Sequence, residues 1–372
     1  MVDLRAQFAA IEKEIRAALD GVLASQRFVL GPQLEALERE LAQYCGRRAG
    51  VGVASGTDAL LLGLRACGVG AGDEVVVPAF TFVATAGAVS ALGARPVFAD
   101  VEPDTLNLSP QSVASRITPR ARAIVAVHLA GLAARIEPLL ELAAQYRLPL
   151  IEDNAQSLGA TCGGRKLGSF GTLAAISFYP SKNLGAYGDA GMIVTDSEEL
   201  AERLKSLRNH GQTAPGLSTE PGWNSRLDEL QAAVLRVKLR HLDRWIRKRR
   251  GLAAIYDERF AATVEIHTPQ VPAGCEHSYY LYTVRIPSAG KDPGERRNRV
   301  ARHLTERGIA SAVFYPIPLH LQPLYASLGG RPGDLPVAER AAYEVLSLPL
   351  YPEMTAAQVD RVAAAVLEAL AS

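Results

Sequence analysis

Residues 177–191 read S-F-Y-P-S-K-N-L-G-A-Y-G-D-A-G, a glycine-rich turn that follows a strand-like run at 172–178 and contains Lys182. A second apolar run ends in E-D-N-A-Q at 152–156, so Asp153 also lies at the end of a predicted strand. The two residues are separated by about the length of one strand–helix unit. Because the carboxyl ends of parallel strands open into one crevice, the sequence predicts that Lys182 and Asp153 lie close together.

Strand and helix patterns alternate through the first two thirds of the chain. This alternation predicts an α/β fold with a mostly parallel central sheet and helices on both faces. We predict a large domain over residues 1–250, with an N-terminal helical arm, and a smaller α+β domain over 251–372. The predicted strands cover residues 49–53, 74–77, 96–99, 123–127, 148–151, 173–178, 191–195, 279–286 and 312–315. The predicted helices cover residues 57–67, 85–92, 138–146, 226–260 (with or without a break), 295–307 and 356–370.

The composition excludes several classes of function. The chain has 372 residues, of which 48% are apolar and 21% charged, with a formal net charge of +1. This length suffices for two domains and a large core. The charge balance gives no electrostatic basis for nucleic-acid binding, and the basic run at 244–250 is interpreted as a solvated helix face. Charged residues or clustered Gly and Pro interrupt every long apolar stretch, so no membrane segment is predicted.

The cysteines and the start of the chain indicate the compartment. Residues 2–7, V-D-L-R-A-Q, lack the apolar core of a secretory signal peptide and resemble a helix start. Cys45, Cys67, Cys162 and Cys275 are scattered without C-x-x-C spacing. We therefore expect buried free thiols in a reducing cytoplasm, with neither a disulfide nor a zinc site. No metal is predicted.

A lysine amine and a carboxylate at two strand ends suit one cofactor, pyridoxal phosphate. Lys182 would form an imine with the aldehyde carbon, and Asp153 would hold a proton on the pyridine nitrogen, so that the ring accepts electrons from a carbanion. Each residue alone has a simpler interpretation. A lysine in a glycine-rich loop is usually a solvated surface group, and E-D is often a helix cap. Together they predict an aminotransferase.

Other segments carry residues suited to the rest of this cofactor. S-G-T-D at 55–58 joins a strand to a helix, where Gly56, Thr57 and the helix N–H groups suit a phosphate; the alternative is an ordinary helix cap. Phe82 follows a strand into the crevice and suits stacking on a flat ring, or else a core position. Gln156 is placed to bond the ring hydroxyl, and Ser177 to complete the phosphate site.

Seven motifs, in this order, resemble those of the DegT/DnrJ/EryC1/StrS family of sugar aminotransferases, over nearly the full chain. They are S-G-T-D-A-L at 55–60, P-A-F-T-F-V-A-T at 78–85, H-L-A-G at 128–131, E-D-N-A-Q-S at 152–157, the lysine stretch at 177–191, N-S-R-L-D-E-L-Q-A-A at 224–233 and Y-P-I-P-L-H-L-Q-P-L-Y at 315–325. One difference is Ser181, where many relatives carry threonine, so the hydroxyl is kept. The resemblance implies the fold of the fold-type-I pyridoxal phosphate enzymes.

The resemblance also implies a role for each candidate residue. Lys182 forms the imine and moves the proton, and Asp153 pairs with the pyridinium nitrogen. Asn224 resembles a residue that reaches the phosphate bound by the partner subunit, which implies a homodimer with shared active sites. Arg226 resembles a residue suited to a carboxylate of the amino donor. The other implied contacts are to the cofactor from Gly56, Thr57, Phe82, Gln156 and Ser177, and to the sugar from Tyr315 and His320.

The motifs at 224–233 and 315–323 resemble those of 3-amino-sugar enzymes that act on dTDP-3-keto-6-deoxyhexoses. The resemblance thus implies amino transfer from L-glutamate to a nucleotide-linked keto sugar in amino-sugar biosynthesis, with pyridoxamine phosphate as the intermediate form. Acceptors that are 4-keto sugars, UDP-linked keto-uronic acids or cyclitols stay open. Lys182 argues against a dehydratase, since related dehydratases carry histidine there. The intact Lys182, Asp153 and phosphate loop argue against a non-enzymatic regulator.

Overall fold

The structure is a computed structural model, and it describes residues 2–288 and 292–371. The α-helices are α1 (Leu4–Ser25), α2 (Pro32–Tyr44), α3 (Gly56–Ala66), α4 (Ala84–Ala91), α5 (Pro110–Arg116), α6 (Ile136–Tyr146), α7 (Glu198–Leu207), α8 (Glu229–Leu239), α9 (Leu242–Phe260), α10 (Glu295–Glu306), α11 (Pro336–Glu344) and α12 (Ala356–Ala371). The strands are β1 (Ala49–Val53), β2 (Glu74–Pro78), β3 (Arg95–Ala99), β4 (Ala121–Val127), β5 (Leu150–Asp153), β6 (Thr161–Cys162), β7 (Arg165–Lys166), β8 (Leu173–Ser177), β9 (Gly191–Thr195), β10 (Gln212–Ala214), β11 (Leu217–Ser218), β12 (Cys275–Glu276), β13 (Tyr282–Arg285) and β14 (Val345–Leu348).

The central sheet has seven strands in the order β1-β9-β8-β5-β4-β2-β3. Strand β9 runs antiparallel to both of its neighbours, and the other pairings are parallel. The predicted α/β fold with a mostly parallel sheet is therefore confirmed. Strands β5 and β8 are neighbours in register, with Asp153 opposite Ala175, so the chain segments that follow them emerge side by side.

Helices cover both faces of this sheet, which explains why its strands are continuous apolar runs. Successive residues of β8 enter different cores because side chains alternate across a strand. Leu173 and Ala175 pack into the core beneath α3 and α7, whereas Ala174 and Ile176 pack into the core beneath α2 and α8. The sheet is thus fixed from both sides, and its carboxyl edge forms a rigid base for a site.

A further apolar core lies beyond the central sheet, around the antiparallel pair β13–β14. Helices α10 and α12 and the end of α9 pack there, with Tyr256 and Tyr282 fully buried. Helix α11 belongs to the large core instead, through Ala338 and Ala341. The proposed boundary at residue 250 falls inside α9, so the division into two domains stays a prediction.

Two predicted elements of the C-terminal half need comment. The helix at 226–260, predicted with or without a break, begins at Glu229 and has the break, between α8 and α9 at Arg240 and His241. The strand predicted at 312–315 is wrong: Ala312 forms only an isolated bridge with Ser347. Pro316 and Pro318 follow directly, and neither has an N–H group with which to extend a ladder.

The prediction of four free thiols is wrong for one pair. Strands β6 and β12 run antiparallel with Cys162 opposite Cys275, and a disulfide joins them with a Cα–Cα distance of 4.0 Å. Because the two cysteines are 113 residues apart in sequence, only the folded chain brings them together. Cys45 and Cys67 are free. Within the described residues, no cluster of three or more His, Cys, Asp or Glu suits a metal ion. None of the described helices combines the length and hydropathy needed to cross a membrane.

Candidate active site

Three chain segments meet at the carboxyl edge of the central sheet. Asp153 ends β5, Ser177 ends β8 and Gly56 begins α3 shortly after β1. A Cβ atom added to Gly56 would lie 2.5 Å from Ser177 Cβ, so only glycine permits this approach. The structure therefore brings together two of the residues predicted to bind phosphate.

The start of α3 presents backbone N–H groups and a free hydroxyl at this edge. Ser55 caps the helix, since its Oγ accepts the N–H of Asp58 at 3.0 Å. Thr57 is exposed, and its side chain bonds to no other described residue. The Asp58 carboxylate accepts a hydrogen bond of 2.7 Å from Ser225 Oγ, which engages its negative charge. The positive end of the helix dipole at this edge suits an anion.

Asp153 is a buried carboxylate held by hydrogen bonds to both of its oxygens. Thr85 Oγ1 donates to Oδ2 at 2.9 Å, and the N–H of Ala155 donates to Oδ1 at 3.2 Å. Burial raises the pKa of Asp153, while the hydrogen bonds from Thr85 and Ala155 and the charge of Lys182 act in the opposite direction. The charge of Lys182 thus acts on Asp153, as expected for two groups that share a crevice.

Lys182 lies in a tight turn, in which its N–H donates to the carbonyl of Tyr179 at 2.8 Å. The side chain is half-buried, and its Nζ lies 4.3 Å from the centre of the Tyr280 ring. The buried Lys238 supports the turn from below, since its Nζ donates to the carbonyl of Gly185 at 2.7 Å. The amine of Lys182 is therefore presented on an aromatic face without a carboxylate partner among the residues described.

Gln156 and Tyr315 lie together near Asp153 and Lys182. Gln156 Oε1 accepts the N–H of Ala130 at 2.8 Å, and its Nε2 donates to the Tyr315 hydroxyl at 3.2 Å. The Tyr315 ring lies 6.2 Å from that of Phe82, which is 53% exposed. Gln156, Tyr315 and Phe80 also line one cleft. Gln156 and Tyr315 offer hydrogen-bonding partners for a polar substituent on a bound ring, and Phe82 offers an aromatic face for the ring itself.

Three other predicted residues have different partners in the described structure. Arg226 donates to Asn209 Oδ1 at 3.0 Å, and Asn224 is exposed and forms a backbone bridge with Asn209. His320 is buried, with Nε2 3.1 Å from Glu339, and lines a separate cleft with Glu74 at the amino end of β2. No contact joins these three to Lys182 or Asp153 in the described residues. Their roles stay predictions.

Two residues without a predicted role contact Asp153 or Lys182: the Thr85 hydroxyl bonds to Asp153, and the Tyr280 ring faces Lys182. Thr85 is the last residue of the motif at 78–85, but the motif itself assigns no role to it. Tyr280 follows no strand of the central sheet, and no local pattern distinguishes it. Its contact with Lys182 depends on the packing of a segment almost one hundred residues away along the chain.

The arrangement fits pyridoxal phosphate. Asp153 is fully buried yet forms no ion pair in the part of the chain that the structure describes, which suits a cationic ring nitrogen. Burying an ionised carboxylate without a cationic partner is costly even when it accepts hydrogen bonds, so such a carboxylate indicates a ligand or a catalytic role. Gly56, Ser177 and the start of α3 suit the phosphate. The cofactor of this chain is pyridoxal phosphate, and solved relatives carry it or its amine form.

Comparison with known proteins agrees with this geometry. A relative from Streptomyces venezuelae, dTDP-3-amino-3,4,6-trideoxy-alpha-D-glucose transaminase, is 46% identical over 99% of this chain and 95% of its own. The "Pleiotropic regulatory protein" of Geobacillus stearothermophilus is 44% identical over 99% of this chain and 97% of its own. The crystal structure of S. venezuelae DesV in complex with a ketimine intermediate superposes with a TM-score of 0.94 at 46% identity, covering 98% of this chain and 96% of that chain. The profile of the DegT/DnrJ/EryC1/StrS aminotransferase family matches residues 9–367, and the chain belongs to that family.

Proposed function

We propose that the protein transfers an amino group from L-glutamate to a nucleotide-linked keto sugar, with a dTDP-3-keto-6-deoxyhexose as the best candidate acceptor. The observation that carries the proposal is that the buried, hydrogen-bonded Asp153 has no ion-pair partner among the described residues and is influenced by the charge of Lys182. The name of the Streptomyces relative supports a dTDP-linked amino sugar at the third carbon. The motifs at 224–233 and 315–323 support the same class.

When bound, the cofactor supplies an aldehyde that takes up the amino group and a ring that accepts electrons. Asp153 would hold a proton on the ring nitrogen, because a buried carboxylate without an ion-pair partner favours a positive charge beside it. Lys182 would provide the amine that holds the aldehyde, and its Nζ would move the proton during amino transfer. Gly56, Ser177 and the first turn of α3 would hold the phosphate. The positions of these side chains at the carboxyl edge of the sheet support the proposed roles.

The active form is proposed to be a homodimer. Several large apolar side chains are exposed on the single chain, and a second copy of the chain would cover them: Phe28, Val29, Tyr179 and Tyr187. The exposed Asn224 then reaches the phosphate bound by the partner subunit, and Arg226 the donor carboxylate. Tyr315 contacts the sugar through the cleft that it shares with Gln156. Contact of His320 with the sugar is also proposed; in the single chain, His320 bonds to Glu339 and lines a separate cleft.

A cytoplasmic location stays a prediction. The disulfide between Cys162 and Cys275 weakens the argument from free thiols, because disulfides are rare in that compartment. Counting reactive thiols in denatured protein taken directly from cells tests it. Four thiols would support a reducing compartment, and two would argue against it.

The test of the function is a two-step spectroscopic assay on the purified holoprotein. Adding L-glutamate alone should abolish the absorption band of the lysine-bound cofactor and release 2-oxoglutarate. Adding a dTDP-3-keto-6-deoxyhexose should then restore the band and give an amino sugar detectable by mass spectrometry. The variant Lys182→Ala should show neither change, whereas Lys205→Ala, on the exposed face of α7, should behave as the unmodified protein.

Three outcomes would redirect the proposal. A UDP-linked keto sugar, a 4-keto sugar or a cyclitol that restores the band faster would replace the dTDP sugar as acceptor. A stable band that ignores L-glutamate would indicate another donor or another reaction. A purified protein that binds no cofactor would instead favour a regulatory role, as in the name of the Geobacillus relative.

A further inference from the structure

We infer that Thr85 is the positioning residue of this site, because its hydroxyl fixes the carboxylate of Asp153 toward the ring nitrogen of the cofactor. This inference rests on the proposed function. Thr85 lies in the first turn of α4, is 1% exposed and donates to Asp153 Oδ2 at 2.9 Å. No described contact joins Thr85 to the phosphate residues, so its effect on the cofactor passes through Asp153.

The direction of this hydrogen bond follows from the chemistry of the two groups. An ionised carboxylate only accepts hydrogen bonds, so the single proton of the Thr85 hydroxyl goes to Asp153. Thr81 Oγ1 lies 3.3 Å from Thr85 Oγ1 and must therefore be the donor in that second contact. Thr81 is also buried. The result is a short chain of oriented hydroxyls, from Thr81 through Thr85 to Asp153.

The carboxylate has little remaining freedom. Thr85 holds Oδ2, and the N–H of Ala155 holds Oδ1 at 3.2 Å. Two donors, one on each oxygen, fix the plane of the carboxylate at the end of β5. An oxygen with two lone-pair directions keeps one for the ring nitrogen after it has accepted one hydrogen bond. The orientation of Asp153 is thus set before the cofactor arrives.

The same hydroxyl favours the ionised form of Asp153. Burial favours the protonated acid, and hydrogen bonds to the charged form oppose this effect. Thr85 is the main group opposing it, ahead of Ala155, Lys182 and His128. A protonated Asp153 would be a weaker partner for a cationic ring nitrogen. Removing the hydroxyl should therefore lower the protonated fraction of that nitrogen, and not only loosen the fold.

The test compares Thr85→Val, which keeps the shape and removes the hydroxyl, with Thr85→Ser, which keeps the hydroxyl. The main readout is the ¹⁵N chemical shift of the ring nitrogen in enzyme loaded with ¹⁵N-labelled pyridoxal phosphate. Thr85→Val should move this shift toward the value of an unprotonated pyridine. It should also weaken cofactor affinity by about 10- to 100-fold, the loss expected for one hydrogen bond to a charged group. Thr85→Ser should stay within about threefold of the unmodified enzyme.

Two further measurements separate positioning from folding. In single turnover with L-glutamate, Thr85→Val should lower the rate and leave the glutamate concentration at half-maximal rate unchanged. Between pH 6 and pH 4, the cofactor-free unmodified protein should lose more Tm than cofactor-free Thr85→Val, because the Thr85 hydroxyl favours the ionised form of Asp153 in the folded state. Ser90→Ala, in the last turn of α4, is the matched control, because Ser90 bonds the carbonyl of Ala86 and has no described contact with Asp153.

The inference is overturned if Thr85→Val keeps the unmodified ¹⁵N shift and cofactor affinity, or if Thr85→Ser behaves like Thr85→Val. If Thr85→Val does not fold, Thr85→Ala and Thr85→Ser decide by the same two readouts. Failure of the proposed function looks different, since the unmodified protein itself would then ignore L-glutamate while the ¹⁵N shift still responded to Thr85→Val.

Discussion

Glu152 and His128 form a hydrogen bond of 3.0 Å between neighbouring strands of the sheet, and neither side chain is exposed. His128 Nδ1 accepts the N–H of Ala134 at 3.1 Å, so Nε2 carries the proton and donates to Glu152. Burial raises the pKa of Glu152, but the hydrogen bond from His128 and the backbone N–H groups of Gly171 and Gly168 outweigh it and lower the pKa overall. The carboxylate is therefore ionised in the interior.

Replacing Glu152 with glutamine should destabilise the protein. The carboxylate also accepts the N–H groups of Gly168 and Gly171, each at 2.7 Å, in the loop that leads into β8. The amide of glutamine has one acceptor oxygen instead of two. Its NH₂ group would face the N–H of Gly168 or Gly171, which would then lack an acceptor. We expect Glu152→Gln to lose about 3–5 kcal/mol of unfolding free energy, the usual loss when one partner of a buried ionic network is removed. Thermal unfolding measures this loss, and an equal loss in the exposed Glu141→Gln would contradict it.

Adding one methyl group at Gly56 should weaken cofactor binding. The Cβ of Gly56→Ala would lie 2.5 Å from Ser177 Cβ and 3.0 Å from Ser177 Cα, so α3 must move away from β8. We expect cofactor affinity to fall at least tenfold and stability by about 1–3 kcal/mol, as for overpacked cores. Gly21→Ala is the matched control, since nothing lies within 4 Å of the added Cβ. That helical change should stabilise by about 0.5–1 kcal/mol. Equal cofactor affinities, measured by titration, would refute the steric argument.

The central sheet could be predicted from sequence because its strands are buried on both faces and end in polar segments. Lys182 and Asp153 could be identified for the same reason, since strand ends in a parallel sheet converge. The C-terminal region was less predictable: the apolar run at 312–315 has the composition of a strand, but β14 takes the place beside β13. The contact of Thr85 with Asp153 and the pairing of Cys162 with Cys275 depend on side-chain directions that no local pattern specifies.

His277 should make the protein labile to acid. Its buried ring stacks on Tyr279 with a centroid distance of 4.0 Å, and its Nδ1 accepts the N–H of Tyr279 at 2.8 Å. Burial, with the charge of Arg250, lowers the pKa of His277 from 6.5 to about 3. The neutral ring contributes its full share to the free energy of unfolding above about pH 6.5. This contribution is lost toward pH 3, at up to about 1.4 kcal/mol per pH unit. His277→Asn, which keeps an acceptor, should flatten the fall in Tm between pH 7 and pH 5. The exposed His210→Asn should not, and a similar flattening there would count against His277 as the cause.

The ring of Tyr280 should assist the lysine-dependent step more than its hydroxyl does. Lys182 Nζ lies 4.3 Å from the ring centre, whereas the hydroxyl makes only a 3.4 Å contact with Ser181 Oγ. An aromatic face stabilises an ammonium by about 0.5–2 kcal/mol, which corresponds to roughly 2- to 30-fold in rate. Tyr280→Phe should therefore react with L-glutamate in single turnover at close to the unmodified rate, and Tyr280→Leu should be slower by that factor. Stopped-flow absorbance measures both, with the exposed Tyr343→Leu as the control. An unchanged rate in Tyr280→Leu, or an equal loss in Tyr280→Phe, would show that the aromatic face has no part in positioning the amine.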